Sequence, residues 1–402
     1  MVKFRTSKKI FIHIDCDSFF AECEILKNPQ LKNEYVLVGR EIVVACNYKT
    51  KALWITTGMP VWKAEEILKG RWIFLEGDHS FYSLVSRKMM KYLKENTLSI
   101  EPFSIDEAFC EITGLPELYK LNLEDYILKL QKDVVEYIWV PVSIWVSTTR
   151  IKAKIFSKLN KPLGVFIDIS NSRETFEELP LDIVPFIGKS MQNKLKYSCE
   201  NVYDFVNLWY WDLKKNIWKS ATDLWLELSW VNAFRVKKSP HSKSMSRGRS
   251  FNKNITSNKE FLYSQFLLNF NHLYEEFSLR NYKLKKVSIF FRDKDKVITI
   301  FHYNLAEYST SRKDILEIVQ RLFQKYYSPD NLIRSTWVVF WSLEKITFQQ
   351  LNIFQKVRKV EQENSQLIWV INKLNQKYSS HKVAFGTDLL GKDFESKWGI
   401  RV

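Results

Sequence analysis

The chain has 402 residues, with 61 Lys and Arg against 45 Asp and Glu, so its formal net charge is +16 at pH 7. Its length predicts two to four domains, and 46% hydrophobic residues are typical of a folded protein and exclude a disordered one. No stretch approaches the roughly 18 uninterrupted apolar residues of a membrane helix. The five cysteines are odd in number and widely spaced, which indicates reduced core residues. We therefore expect a cytoplasmic protein with no membrane association.

The first 168 residues carry most of the strand patterns, at 10–14, 34–38, 41–46, 107–113 and 140–146. Two segments between or after them have apolar residues at helical spacing. These residues are Ile127, Leu130, Val134 and Ile138 in the first segment, and Ile151, Ile155 and Leu159 in the second. The pattern predicts a sheet with helices on one face and an open face that can hold a substrate.

The remainder of the chain divides into four segments that differ in composition and in predicted secondary structure. Residues 169–234 are helical in pattern, and residues 235–259 hold eight Lys or Arg and no acid. The composition of this basic segment is typical of a solvated linker, and such a segment can also lie along a phosphate backbone. Residues 260–343 combine two helices with strands in a small α+β unit. A tail follows at 344–402, with an amphipathic helix near 363–377.

Acidic residues stand at the ends of two strand patterns. Asp15 follows the apolar run IFIHI, and Asp106 and Glu107 lie between two strand-like runs. Acids at the ends of adjacent strands can converge into the oxygen-rich shell that Mg²⁺ prefers, and two such ions can promote transfer of a phosphoryl group. The alternative is that these acids only cap turns, and their spacing alone does not decide between the two interpretations.

Five segments together resemble the Y-family translesion DNA polymerases of the DinB/UmuC type. They are FIHIDCDSFFAECE, VVACNYKTKALWITTGMPVWKAEEIL, SIEPFSIDEAFCEITG, VSIWVSTTRIKAKIFSKLNKPLG and VPFIGKSMQNKL, and the resemblance spans roughly residues 10–355. It implies an α+β, multidomain right-hand polymerase with a C-terminal little finger. The implied domains are a palm at 1–168 with fingers at about 18–78, a helical thumb at 169–234, a basic linker at 235–259, a little finger at 260–343 and a tail at 344–402.

The resemblance implies a template-directed DNA polymerase that inserts dNTPs opposite damaged or undamaged template in DNA repair and the SOS response. The positions that match the family's ligands for two Mg²⁺ ions are Asp15, Asp106, Glu107 and the main-chain carbonyl of Cys16. Phe20 matches the bulky ring under the incoming sugar, which acts as a steric gate against ribonucleotides. Asp17 matches an acid that usually binds no metal and is left outside the set.

Further positions match groups that contact the substrates. The triphosphate-binding positions are Tyr48, Lys51 and Lys161. At position 51 the DinB pattern more often has Arg, so a point charge replaces a bidentate contact. VPFIGKSMQNKL resembles a helix-hairpin-helix with Phe186 where glycine is expected. The predicted DNA contacts are Gly188 and Lys189 in this motif, and Lys243, Arg247 and Arg249 in the basic segment.

The segment QLNIF resembles the short bacterial peptide that binds the sliding clamp, and a buried strand end is its alternative interpretation. Its clamp-binding residues are Gln350, Leu351, Ile353 and Phe354. The expected partners are primer-template DNA, a dNTP and the clamp, and the expected state is a monomer. The competing functions are a non-catalytic DNA- and clamp-binding scaffold of the same fold and a two-metal nuclease. Features of both DinB and UmuC are present, so the subfamily stays open.

Glycine is scarce and tryptophan abundant, with 11 and 14 residues in the chain. Trp54, Trp145, Trp230 and Trp337 stand where the family pattern has glycine, and Trp139, Trp218 and Trp341 are similarly suspect. Glycine serves such positions through positive φ or close backbone approach, which an indole opposes. Our hypothesis is that the host reads UGA codons as glycine and that these positions are glycine in the native protein.

Overall fold

The computed structural model describes residues 9–157, 159–170, 172–216, 219–233, 242–251 and 255–346, together with residue 370. The chain divides between residues 239 and 240 into two compact units. Within the described ranges no helix combines the length and apolarity that crossing a membrane requires. All five cysteines are buried and none forms a disulfide, which confirms the expectation from the sequence.

The first unit contains eight strands and eleven α-helices among its described residues. The strands are β1 (Phe11–Cys16), β2 (Val36–Gly39), β3 (Val43–Cys46), β4 (Ile73–Leu75), β5 (Ser99–Pro102), β6 (Glu107–Glu111), β7 (Val142–Ser147) and β8 (Val165–Asp168). The helices are α1 (Phe19–Lys27), α2 (Tyr48–Lys51), α3 (Val61–Leu68), α4 (His79–Asn96), α5 (Leu115–Leu118), α6 (Leu123–Ile138), α7 (Arg150–Ile155), α8 (Lys189–Leu195), α9 (Val202–Asn207), α10 (Tyr210–Asn216) and α11 (Lys219–Leu228).

A central five-stranded sheet of order β5-β6-β1-β7-β8 organises this unit, and only the β7–β8 pair in it is parallel. Side chains alternate between its two faces. Ile12 and Ile14 of β1 therefore pack into a core with α4 and α6, whereas His13 and Asp15 lie on the other face. The predicted inner face of α6 is confirmed, because Ile127, Leu130, Val134 and Ile138 are all buried.

Helix α7 packs against the other face of the sheet beside β1. Its Ile151 and Ile155 join a hydrophobic core with α8, α9 and α11. The prediction that this helix face extends to Leu159 is wrong, since α7 ends at Ile155 and Leu159 is exposed. Helix α7 thus covers part of the sheet face that was predicted to be open. Asp15 and Glu107 lie at the margin of this face that α7 leaves uncovered.

A smaller sheet of order β3-β2-β4 forms within the range predicted for the fingers. It has its own core with α3, in which Leu37, Val43, Ile55 and Leu68 are buried. The chain leaves β1 through α1, forms this sheet and returns through α4. The segment between Cys46 and Lys51 therefore faces the end of β1.

The second unit contains one sheet and two helices among its described residues: β9 (Ser244–Ser250), α12 (Lys259–Leu279), β10 (Tyr282–Asp293), β11 (Ile298–Ser309), α13 (Arg312–Tyr326), β12 (Ile333–Trp341) and β13 (Glu344–Lys345). The main strand order is β11-β10-β12-β9, and β13 pairs with β10. Helices α12 and α13 cover a core that includes Phe266, Phe270, Phe323 and Phe340.

The prediction of a basic linker over 235–259 is wrong for residues 244–250, which form strand β9. These residues pair with β12 from Ser335 opposite Ser250 to Trp341 opposite Ser244. Main-chain hydrogen bonds and burial of Met245 hold this polar strand in place, and composition does not reveal either contribution. The predicted tail also begins too early, because Glu344 and Lys345 form β13.

Three of the suspect tryptophans have left-handed backbone conformations: Trp54 at φ 63°, Trp139 at φ 64° and Trp230 at φ 61°. Trp139 ends α6, and its N–H donates to the carbonyl of Val135, a position that glycine usually fills. In contrast, Trp145 lies in β7 and Trp337 and Trp341 lie in β12, where the backbone is extended. Trp218 lies outside the described residues. Positive φ therefore supports the glycine hypothesis at 54, 139 and 230.

Candidate active site

Strands β1 and β6 bring the predicted carboxylates together. Asp15 lies directly opposite Glu107 in the antiparallel ladder, and the N–H of Cys16 donates to the carbonyl of Asp106 at 2.9 Å. Opposed residues of such a pair project from the same face, with Cβ atoms about 5 Å apart. Ligand atoms of His13, Asp15 and Glu107 all lie within 4.8 Å of one another. The acids therefore converge at one margin of the sheet.

Two lysines balance the charge of these acids. The ammonium of Lys161 contacts Asp15 Oδ1, and that of Lys154 contacts Glu107 Oε2. Burial raises the pKa of Asp15 to about 6, although Lys161 opposes the increase. Burial also acts to raise the pKa of Glu107, but hydrogen bonds from His13 and Lys154 outweigh it and hold this pKa at about 2. The carboxylates of Asp15 and Glu107 thus stabilise a positive charge that lies next to them.

Asp17 has a different environment from Asp15. Its side chain is fully buried and accepts hydrogen bonds from Ser143 Oγ at 3.0 and 2.9 Å, from the Leu163 N–H at 2.8 Å and from the Tyr48 hydroxyl at 3.3 Å. These donors occupy both carboxylate oxygens. Asp17 therefore ties the end of β1 to β7, to the loop before β8 and to α2.

An open cleft begins at Asp15 and Asp106, and Glu107 is not among the residues that line it. The residues that line it are Asp15, Cys16, Ser18, Phe19, Phe20, Val44, Ala45, Cys46, Lys51, Thr57, Asp106 and Lys161. Phe20 is half-buried and stacks on Tyr82, with ring centroids 4.5 Å apart. The hydroxyl of Tyr82 donates to Glu24 at 2.7 Å, so the ring under Phe20 is itself anchored. Phe20 therefore presents a fixed surface in the same cleft as Asp15 and Asp106.

Two of the three predicted triphosphate-binding residues line this cleft, and Tyr48 is not among the lining residues. Lys161 and Lys51 line it, and the ammonium of Lys51 donates to Ser18 Oγ at 2.7 Å. Burial lowers the pKa of Lys51. The ring of Tyr48 lies beneath Lys51, 4.4 Å from its ammonium, while its hydroxyl donates to Asp17. The cleft thus has acids at one end and cations beside them.

The predicted DNA contacts of the first unit, Gly188 and Lys189, are not among the residues that line this cleft. Gly188 precedes α8, and both it and Lys189 are exposed at the end of the helix where main-chain N–H groups have no intrahelical partner. Phe186, where glycine was expected, has a left-handed φ of 70° and packs edge-on against Phe103.

In the second unit, Lys243 precedes β9 and is exposed, as is Arg247 within the strand. Arg249 is half-buried on the same strand. Arg247 and Arg249 share the strand face of the buried Met245, because they are two and four residues beyond it. The predicted clamp-binding segment at 350–354 lies outside the described residues.

Sequence reasoning missed two residues that contact Glu107. His13 Nε2 lies 2.8 Å from Glu107 Oε2, and Lys154 reaches the same oxygen. The position of His13 was available as a signal, since it precedes Asp15 by two residues and so shares its strand face. Lys154 gave no such signal, because its approach depends on how α7 packs on the sheet.

Comparison with known proteins identifies the fold. A Y-family DNA polymerase chimera of Dbh and Dpo4 superposes with a TM-score of 0.71 at 22% identity, covering 84% of this chain and 99% of the chimera. DinB from Sulfolobus solfataricus superposes with a TM-score of 0.54 at 22% identity, with coverage of 84% and 99%. The fold is therefore that of a right-hand polymerase with palm, fingers, thumb and a C-terminal little finger.

Sequence relatives lead to the same family. DNA polymerase IV of Staphylococcus saprophyticus subsp. saprophyticus is 27% identical over 368 residues, covering 87% of this chain and 100% of the relative. DNA polymerase IV of Staphylococcus aureus strain Newman is 26% identical over 358 residues, with coverage of 87% and 99%.

Two family models match the chain directly. The impB/mucB/samB family matches residues 14–158, and the C-terminal domain of the same family matches residues 242–353. Together these matches cover more than half of the chain. The chain belongs to the impB/mucB/samB family and is a DNA-directed DNA polymerase of the Y family, DinB type, which confirms the resemblance in its sequence.

Proposed function

We propose that this polymerase performs translesion synthesis in DNA repair and the SOS response, inserting dNTPs opposite damaged or undamaged template by a two-metal-ion nucleotidyl transfer. The observation that carries the proposal is that Asp15 lies opposite Glu107 in the strand ladder and, together with Asp106, lines a cleft that also holds Lys51 and Lys161. A non-catalytic scaffold has no need of this arrangement. A nuclease has no need of Phe20 or of cations on the triphosphate side of the cleft.

The donor set fits Mg²⁺, because the carboxylates of Asp15, Asp106 and Glu107 and the carbonyl of Cys16 are all hard oxygen ligands. The ammonium groups already paired with Asp15 and Glu107 show that positive charge is stabilised at this place. When bound, the two ions would activate the primer 3′-hydroxyl and neutralise charge that develops on the phosphates.

The protein's own side chains would position the substrate. Lys161 and Lys51 line the cleft and would contact the β- and γ-phosphates. Tyr48 would add a hydroxyl donor once that hydroxyl leaves Asp17. Lys161 would exchange its contact with Asp15 for a phosphate once a nucleotide and metal ions are present. Phe20 would lie against the sugar. Alignment of the 3′-hydroxyl with the α-phosphate, together with charge neutralisation, then supplies most of the rate.

The wider assembly is also part of the proposal. In the first unit, Gly188 and Lys189 would contact a phosphate of the duplex. In the second unit, Lys243, Arg247 and Arg249 would also contact phosphates. Gln350, Leu351, Ile353 and Phe354 would dock in an apolar pocket of a sliding clamp. A monomeric state and a cytoplasmic location remain predictions from the sequence.

Incubation of the chain with a 5′-labelled primer-template, dNTPs and Mg²⁺ separates the candidate functions. We expect stepwise extension of the primer, including past a template lesion such as an abasic site. DNA binding without extension would support the scaffold. Shortening of the primer or template would support the nuclease. Omission of Mg²⁺ is the matched control and should leave the primer unchanged.

Phe20→Ala should reduce the preference for dNTPs over rNTPs by about 10²-fold, the upper range expected when one apolar contact controls selectivity. Removing the ring opens space for a 2′-hydroxyl at the cleft wall. The measurement is kcat/KM for a dNTP and its ribonucleotide in single-nucleotide insertion. Tyr82→Phe is the control, since it keeps the stacked ring beneath Phe20 and removes only the hydroxyl. Unchanged discrimination in Phe20→Ala would remove this residue from the proposed role.

DNA affinity should fall steeply with salt, because each neutralised phosphate releases counterions and contributes a slope of about −0.9 in log K against log salt. The double variant Lys243→Ala with Arg247→Ala should reduce the magnitude of the slope by about 2. Both side chains are exposed, so stability should change little. Fluorescence anisotropy with a labelled primer-template measures the slope. The exposed pair Lys132→Ala with Lys91→Ala is the charge-matched control, and an equal effect there would contradict the assignment.

A further inference from the structure

His13 is held in a closed site beside the acids. It is fully buried on β1, opposite Phe109 of β6 on one side and Trp145 of β7 on the other. Its ring centroid lies 5.1 Å from that of Phe109 and 5.5 Å from that of Trp145. The imidazole therefore has little freedom to turn, and its Nε2 lies 2.8 Å from Glu107 Oε2.

The hydrogen bond determines which imidazole nitrogen carries the proton. A carboxylate oxygen only accepts, so Nε2 donates to Glu107. The other nitrogen, Nδ1, is buried and has no hydrogen-bond partner within the part of the chain that the structure describes. The tautomer with hydrogen on Nε2 leaves no buried N–H unpaired, which is the arrangement that buried polar groups prefer.

We propose that His13 is a positioning residue for the metal site, fixing the Glu107 carboxylate through an Nε2–H donor so that its second oxygen faces a divalent cation. The inference rests on the proposed function in one respect, the assignment of Glu107 as a metal ligand. Partners of this kind orient metal ligands and tune their affinity.

Lys154 contacts the same oxygen of Glu107 but cannot serve in the same way. Its ammonium lies 3.4 Å from His13 Nε2 and carries a full positive charge, which opposes a divalent cation nearby. The imidazole of His13 is fully buried between two aromatic rings, whereas the ammonium of Lys154 ends a flexible four-carbon side chain. His13 is thus the contact whose geometry is fixed by its surroundings.

The structure also allows a direct role to be tested, because ligand atoms of His13, Asp15 and Glu107 lie within 4.8 Å of one another. The hydrogen bond to Glu107 already uses Nε2, and Nδ1 sits on the other side of the ring. Direct coordination by His13 would require that bond to break. The positioning role requires only that the hydrogen bond from His13 Nε2 to Glu107 stays intact.

The test measures Mn²⁺ binding to the full chain by electron paramagnetic resonance, without DNA or nucleotide. His13→Phe, which cannot donate, should weaken Mn²⁺ binding about 10-fold. His13→Gln, whose amide can reach and donate, should recover most of that loss. His13→Asn, whose amide is shorter, should resemble His13→Phe and replaces it should the phenylalanine variant fail to fold. Circular dichroism and thermal unfolding establish that each variant is folded.

Two outcomes would overturn the inference. One is wild-type Mn²⁺ affinity in the folded variants that cannot donate to Glu107. The other is a folded His13→Gln that binds as weakly as His13→Asn, which would make the imidazole itself a ligand. Failure of the proposed function looks different, since a chain that extends no primer yet shows the expected Mn²⁺ series refutes the polymerase activity and leaves the positioning role intact.

Discussion

Asp106→Ala is expected to reduce the rate of primer extension by at least about 10³-fold, the upper range for loss of one group that stabilises transition-state charge. Asp106 lines the cleft and accepts a hydrogen bond from Ser104 Oγ, but it is only half-buried and contributes little to the core. The substitution should therefore remove a metal ligand without unfolding the protein. Single-turnover extension at saturating dNTP and Mg²⁺ provides the measurement.

Two controls make this result specific to the carboxylate. Asp106→Asn keeps the volume and removes the charge, and it should be about as inactive as the alanine variant. Ser104→Ala removes the hydroxyl that contacts Asp106 and should cost far less. Primer-template affinity and thermal unfolding should stay close to wild type in all three. Extension by Asp106→Ala within tenfold of wild type would exclude the proposed metal site.

The double change Trp54→Gly with Trp139→Gly is expected to raise the free energy of unfolding by about 1–2 kcal/mol. A left-handed conformation costs an L-residue about 1–2 kcal/mol, and the greater freedom of glycine in the unfolded chain cancels about half of the gain. Both side chains are largely exposed, at 86% and 74%, so little packing is lost. Urea denaturation followed by circular dichroism gives the change in free energy.

Trp62→Gly is the matched control, since Trp62 is also exposed but lies inside helix α3. It should lower stability by about 0.5 kcal/mol, because glycine is a poorer helix former than tryptophan. A double variant less stable than wild type would contradict the interpretation of positions 54 and 139. Peptide mass spectrometry of the protein made in its native host would then test the codon hypothesis itself, and glycine is expected at 54, 139 and 230.

The suspect tryptophans fall into two groups according to their backbone conformation. The sequence suggested glycine at seven tryptophan positions. The backbone supports glycine at 54, 139 and 230, where φ is positive, but not at the positions that lie in strands. Trp337 stacks on Phe290 and lies over Gly248 on the neighbouring strand, and Trp145 donates to the carbonyl of Leu159 at 3.1 Å. An indole is accommodated at both places, because extended backbone tolerates any side chain and each ring has partners.

Local pattern accounts for what the sequence alone determined about this protein. The inner face of α6, strand β1 and the position of the pair Asp106 and Glu107 depend on residues close together in the chain, where helical and strand periodicity act directly. The family resemblance depends instead on five short sequence segments. The end of α7 and strand β9 were misjudged, because the first depends on where the chain must turn towards β8 and the second on hydrogen bonds to β12.

Only the tertiary structure decided what surrounds the acids. His13 and Lys154 meet at Glu107 across 94 and 47 residues of chain, and Lys161 reaches Asp15 across 146. Contacts between residues so far apart in the sequence arise from the order of strands in the sheet and from the packing of α7 against that sheet. Local periodicity encodes neither of these. The physical reason is that side-chain pattern specifies which face of an element is buried, whereas packing between elements selects which side chains meet.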